Sequence, residues 1–132
     1  MRAIAWILLG LLIGIFAGTS AYKALRAHTA LQRGLMQTTG FHLGQLREAS
    51  KTKDCLTASA PHRQALALLA HDIKPAFGEF VGQDEVFVGY ADKLITATEH
   101  ARDNPGADCE ALAAAIGPIK DACQACHRDY KP

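Results

Sequence analysis

The sequence predicts an all-α protein, an antiparallel up-down four-helix bundle preceded by an N-terminal hydrophobic helix. Three observations predict it. Ala3 to Tyr22 contains no charged residue. Beyond that run, apolar residues recur at helical spacing in four stretches, separated by prolines, glycines and polar segments. No strand-like alternation competes, and short connections between helices favour antiparallel neighbours.

The N-terminal element is Met1-Arg2 followed by the apolar run Ala3 to Ala17 and the small residues Gly18-Thr19-Ser20-Ala21. Residues 1–21 read as an export signal cleaved after Ala21, or as a retained membrane anchor. Length does not separate the two, because a bilayer span needs about 20 apolar residues. Arg2 before the run directs the remainder out of the cytoplasm in either case. A buried core helix would need a larger protein to cover it on all sides.

Residues 22–132 then form one helical domain. The first predicted helix runs from about Tyr22 to Ser50, with Leu25, Gln32, Met36, Leu43 and Leu46 near one stripe, and the polar run 50–54 ends it. The second runs from Pro61 to Lys74, with Leu66, Leu69 and Ile73 inward. Pro61 suits a first turn and Pro75 a stop, leaving residues 75–84 as a loop. The third runs from Asp84, an N-cap, to Asp103, with the stripe Phe87, Ala91, Leu94, Thr98 and Ala101. Asn104-Pro105-Gly106 is a turn. The fourth starts near Ala107 or Asp108 and carries Leu112, Ile116, Ile119, Cys123, Cys126 and Tyr130 on one side. Pro118 interrupts its bonding and predicts a kink.

Composition excludes several classes. The chain holds 14 Lys plus Arg against 13 Asp plus Glu, a net charge of +1, without the basic excess of a nucleic-acid binder. A hydrophobic fraction of 49% excludes general disorder. No acid, base or nucleophile constellation appears, so no enzyme activity is expected.

Cys123-Gln124-Ala125-Cys126-His127 carries the chemistry. Cys-x-x-Cys-His is the attachment signature of haem c. Two thiols so spaced can form thioethers with two vinyl groups on one porphyrin edge, and the adjacent imidazole can then reach the iron. A thioredoxin-like pair would need a βαβ setting. A structural zinc site would need four ligands, and Cys55 and Cys109 are not a second close pair. Two free surface thiols are disfavoured in an exported protein.

With this motif in its last helix, the exported chain resembles the cytochrome c-prime family, the class II c-type cytochromes, over residues 25–132. The tail His127-Arg128-Asp129-Tyr130-Lys131 and the link Lys74-Pro75-Ala76-Phe77-Gly78 are similar to family segments. The resemblance implies one haem c per chain and divides on the distal side. One branch leaves five-coordinate iron that binds NO or CO. The other supplies methionine and carries single electrons. Leu35 to Gly44 looks like the methionine branch, with Met36 six residues before His42. Met36 is also the sole methionine beyond Met1, sits on the inward stripe, and has Gly40 one turn on. A core-filling role is the alternative for this thioether. His42, the rival ligand, lies roughly 240° round the helix from Met36 and reads as a surface or helix-contact residue.

The expectation is therefore a periplasmic carrier with His127 and Met36 as axial ligands, and the gas-binding protein or a purely structural bundle as alternatives. Partners are redox proteins that dock transiently, guided by charges such as Arg128 and Lys131. Residues 3–22 offer membrane attachment, and the family resemblance implies a possible homodimer through the first two helices. The family's propionate-binding arginine is replaced by Gln32, with Arg33 one place later. His28, His62, His71 and His100 read as surface residues. An up-down bundle brings its first and third connections to one end, so Cys55 and Cys109 are disulfide candidates, with two separately buried thiols as the alternative.

Overall fold

A computed structural model describes residues 2–81 and 84–130. It contains α1 (Arg2–His28), α2 (Ala30–Ala49), α3 (Cys55–Val81), α4 (Glu85–Asp103) and α5 (Cys109–Tyr130), with no strand among the described residues. The chain forms two compact units, Met1–Arg33 and Gly34–Pro132. The 21/22 boundary read from the sequence falls inside α1, which runs on to His28.

The N-terminal unit is dominated by α1, whose side chains from Trp6 to Lys23 are all exposed. Trp6 to Lys23 is long and apolar enough to cross a membrane. The single helix expected over 22–50 is divided at Thr29, the one non-helical residue between α1 and α2. The division is slight, because the Thr29 carbonyl still accepts from the Arg33 N–H at 3.2 Å.

In the second unit, Leu46, Leu66, Leu112 and Ile119 are almost fully buried. Each contributes about 1.5–3 kcal/mol relative to an exposed side chain. The direction of the helices follows from their pairings. Arg63 reaches the Ala101 and Arg102 carbonyls, Lys74 pairs with Asp92, and Phe77 meets Phe87. Rising numbers in α3 therefore meet falling numbers in α4, an antiparallel pair. Cys109 at the start of α5 joins Cys55 at the start of α3, with Cα atoms 5.7 Å apart. Tyr130 at the end of α5 meets Asp84 at the start of α4.

The α4 stripe is buried as the sequence predicts, from Phe87 through Ala101. Asp84 caps this helix by accepting from the Val86 and Phe87 N–H groups. On α2 the buried line is instead Leu35, Thr39, Leu46 and Ala49, with Met36 and Leu43 half-buried beside it. Thr39 can lie inside because its hydroxyl donates to the Leu35 carbonyl at 2.8 Å. Leu25, expected on that stripe, has a side chain outside those described.

Two expectations about α3 are corrected. Pro61 does not open the helix, which begins at Cys55, and Pro75 does not stop it. Residues 75–81 are helical rather than looped. The start is drawn forward by tertiary contacts: Cys55 is disulfide-bonded, and the buried Ser59 hydroxyl accepts from Arg63 Nε. Beyond Pro75, Ala76 is buried and Phe77 and Val81 pack on the core. An internal proline costs about 3 kcal/mol. Burial of Ala76 and the partial burial of Phe77 and Val81 offset part of that. The fourth predicted helix also runs unbroken through Pro118, which is exposed.

Candidate functional site

Cys123, Cys126 and His127 lie in the last two turns of α5. Ile119 and Ala122 bury the helix just before them, and both thiols are half-buried against the same core. His127 is exposed. Met36, half-buried on α2, packs against that core too. Measured from the disulfide end at about 1.5 Å per residue, Met36 and Cys123 both stand about 20 Å along the bundle. The topology thus brings the four residues to one end. A Cβ at Gly40, one turn beyond Met36, would meet nothing within 4 Å.

Burial pushes both thiols above the ordinary cysteine value, and each is raised further by a neighbouring group, Cys126 beside Cys123 and Asp129 beside Cys126. Their position near a helix C-terminus, the negative end of the macrodipole, acts in the same direction. Reactive Cys-x-x-Cys pairs have the opposite setting, with thiols lowered at a helix N-terminus. Among the described residues, no three His, Cys, Asp or Glu side chains converge as a metal-binding group. The residues instead fit haem c. Two uncombined thiols share one helix face beside an imidazole that is open to approach, and a thioether stands at the same level on another helix. Cys123 and Cys126 would hold the porphyrin edge, and His127 and Met36 would offer nitrogen and sulfur to the iron.

The end of α5 is fixed by contacts that the sequence did not reveal. Tyr130 donates to Asp84 Oδ2 at 2.5 Å, so one carboxylate both caps α4 and holds the end of α5. Tyr90 donates to Asp129 Oδ2 at 2.5 Å. Phe87 packs edge-on against Tyr130 with ring centroids 5.5 Å apart, and Phe77 lies 5.9 Å from Phe87. The Tyr130 hydrogen bond holds the Asp84 carboxyl below its ordinary value, and the same bond pushes Tyr130 up to about 12. The N-cap signal at Asp84 was legible, but its second partner was not.

Other expected residues are distributed as follows. Arg128 engages Asp129 and Tyr90, so its charge is shared within the chain. Lys131 lies outside the described residues. Gln32 is half-buried and Arg33 exposed. His42 contacts another helix: its Nδ1 lies 3.0 Å from Nδ1 of His62 on α3. His62 is therefore half-buried rather than a plain surface residue. His71 pairs with Glu99, His100 is exposed, and the side chain of His28 lies outside those described.

No protein-family model, no curated protein and no solved structure matches this chain. The site therefore stands on its own residues.

Proposed function

We propose that the protein is a c-type cytochrome that carries single electrons on the periplasmic side of a bacterial membrane. The observation that carries this reading is the pair Cys123 and Cys126. Both are uncombined and half-buried at the end of a packed helix, with His127 beside them, while the other two cysteines are joined to each other. Bound haem supplies a ferric/ferrous couple. The chain's residues supply the rest. Cys123 and Cys126 would hold the haem covalently, and His127 and Met36 would offer it a nitrogen and a soft sulfur that favours the ferrous state. Tyr130 and Asp84 steady the turn that bears His127. The packed bundle limits movement of these groups when charge changes.

Two features support export. A disulfide persists in an oxidising compartment. The exposed apolar side chains of α1 need a covering phase, and Trp6–Lys23 is long and apolar enough to cross a membrane. We assign α1 as a retained anchor. Recovery of a water-soluble chain whose mass begins at Tyr22 would make it a cleaved signal instead.

The test is the visible spectrum and electron paramagnetic resonance of protein expressed with a cytochrome maturation system. Covalent, low-spin haem is expected, and Met36→Ala should convert it to high spin. High-spin five-coordinate iron in the unmutated ferric protein would favour the NO- or CO-binding reading. Absence of covalent haem would overturn both.

A further inference from the structure

The contact between His42 and His62 is not used by the proposed electron carrier. His42 is on α2, His62 on α3, and their Nδ1 atoms lie 3.0 Å apart with ring centroids at 5.3 Å, the geometry of a hydrogen bond from one ring to the other. Both rings are half-buried, and Phe41 stands edge-on to each. We propose that this pair is an acid-sensitive latch, which holds α2 against α3 while at least one ring is neutral and releases it when both are protonated.

The bond itself sets the condition. One Nδ1–H donates to the Nδ1 lone pair of the other ring, which is therefore neutral and carries its proton on Nε2. A first proton enters on Nε2 of the donor ring, and the bond becomes charge-assisted and stronger. A second proton has only the accepting Nδ1 to bind. Two N–H groups on two cations then face each other across 3.0 Å, and the contact turns from attractive to repulsive. Burial, and then the charge of His42, hold His62 below the ordinary histidine value, which marks it as the ring that takes the second proton. No carboxylate lies within one helical turn of either ring on α2 or α3 to offset the repulsion. The single charge there is Arg63, whose guanidinium is turned away to the Ala101 and Arg102 carbonyls. Arg102 and Asp103, at the end of α4 that Arg63 reaches, pair with each other.

The element that responds is α2. The other three helices of this unit are tied together by the Cys55–Cys109 disulfide, the Lys74–Asp92 pair, Arg63 and the Tyr130–Asp84 bond. From Gly34 onward α2 is held by apolar side chains such as Leu35 and Leu46. Among the described residues, no disulfide or ion pair joins it to another helix. The histidine bond is its polar link to α3. Separating the rings therefore loosens α2 first. Met36 is on the same helix, six residues before His42, so on the electron-carrier reading the latch acts on the residue offered to the distal side. The release itself is independent of that reading.

The experiment is hydrogen exchange read by mass spectrometry on the full-length chain in detergent, at pH 7.5 and at pH 5.0, with rates corrected for the intrinsic pH dependence of exchange. Protection of the α2 amides 38–46 should fall about threefold or more at pH 5.0, while α4 and α5 keep theirs. In His62→Gln the side-chain carbonyl accepts from the Nδ1–H of either form of His42, so the acid step should disappear. His71→Gln, which removes a histidine contact between α3 and α4, should leave it in place. Unchanged α2 protection at pH 5.0, a fall shared equally by all helices, or an equal fall in His62→Gln would overturn the proposal. The helix-by-helix comparison in the unmutated protein decides the matter even if a variant folds poorly. The readout needs no haem, so its failure leaves the electron-carrier reading untouched.

Discussion

Arg63 shows how a single side chain can complete a helix it does not belong to. It is 8% exposed, and its guanidinium donates to the Ala101 and Arg102 carbonyls at the end of α4 and to the Leu56 carbonyl of its own helix. Those α4 carbonyls have no partner within their helix. Replacing Arg63 by Met keeps the bulk and removes the donors. The expected loss is about 1–3 kcal/mol in denaturant unfolding. Lysine should not rescue it, because one ammonium cannot reproduce the fork. Asp84 gives a second prediction at this scale. Its folded carboxyl is depressed, so its stabilisation is present above the ordinary aspartate value and lost as pH falls through the depressed one. Tyr130 has the opposite sign. Its contribution is full below 10.0 and lost as pH rises toward about 12. Ultraviolet titration at alkaline pH should show this late ionisation, and Asp84→Ala should move it back toward the ordinary tyrosine value.

At the scale of elements, regular patterns were legible and interrupted ones were not. The stripe from Phe87 to Ala101 repeats without a proline, and all five residues are buried. The Asn104-Pro105-Gly106 turn was equally plain, and Gly106 has a φ of 89°. A Cβ there would collide with Ala111 as well as strain the backbone. Gly106→Ala should therefore destabilise by about 1 kcal/mol or more, with a lower thermal midpoint as the measurement. The α3 helix was misread because local rules treat Pro61 and Pro75 as boundaries. Burial of Ala76 and packing of Phe77 and Val81 favour continuation past the second of these. On α2 the larger apolar residues drew attention to Met36 and Leu43, while the innermost line includes Thr39 and Ala49. Threonine reads as polar in sequence and becomes a core residue once its hydroxyl is satisfied within the helix.

For the molecule as a whole, the disulfide links the starts of α3 and α5 across 54 residues of sequence. Closing a loop of that length contributes about 4 kcal/mol in the chain-entropy model. Replacing both Cys55 and Cys109 by Ser should lower the unfolding free energy by about that amount, with the far-ultraviolet helix signal retained. The sequence by itself determined the all-α class, the uncharged apolar run at the N-terminus and the Cys-x-x-Cys-His motif, because periodicity, uncharged length and fixed spacing are local properties. Tertiary structure decided that Asp84 serves two helices, that Arg63 finishes α4, and that His42 faces His62. Those pairings join residues 20 to 46 positions apart. They depend on which helix faces meet after packing, which no local pattern encodes.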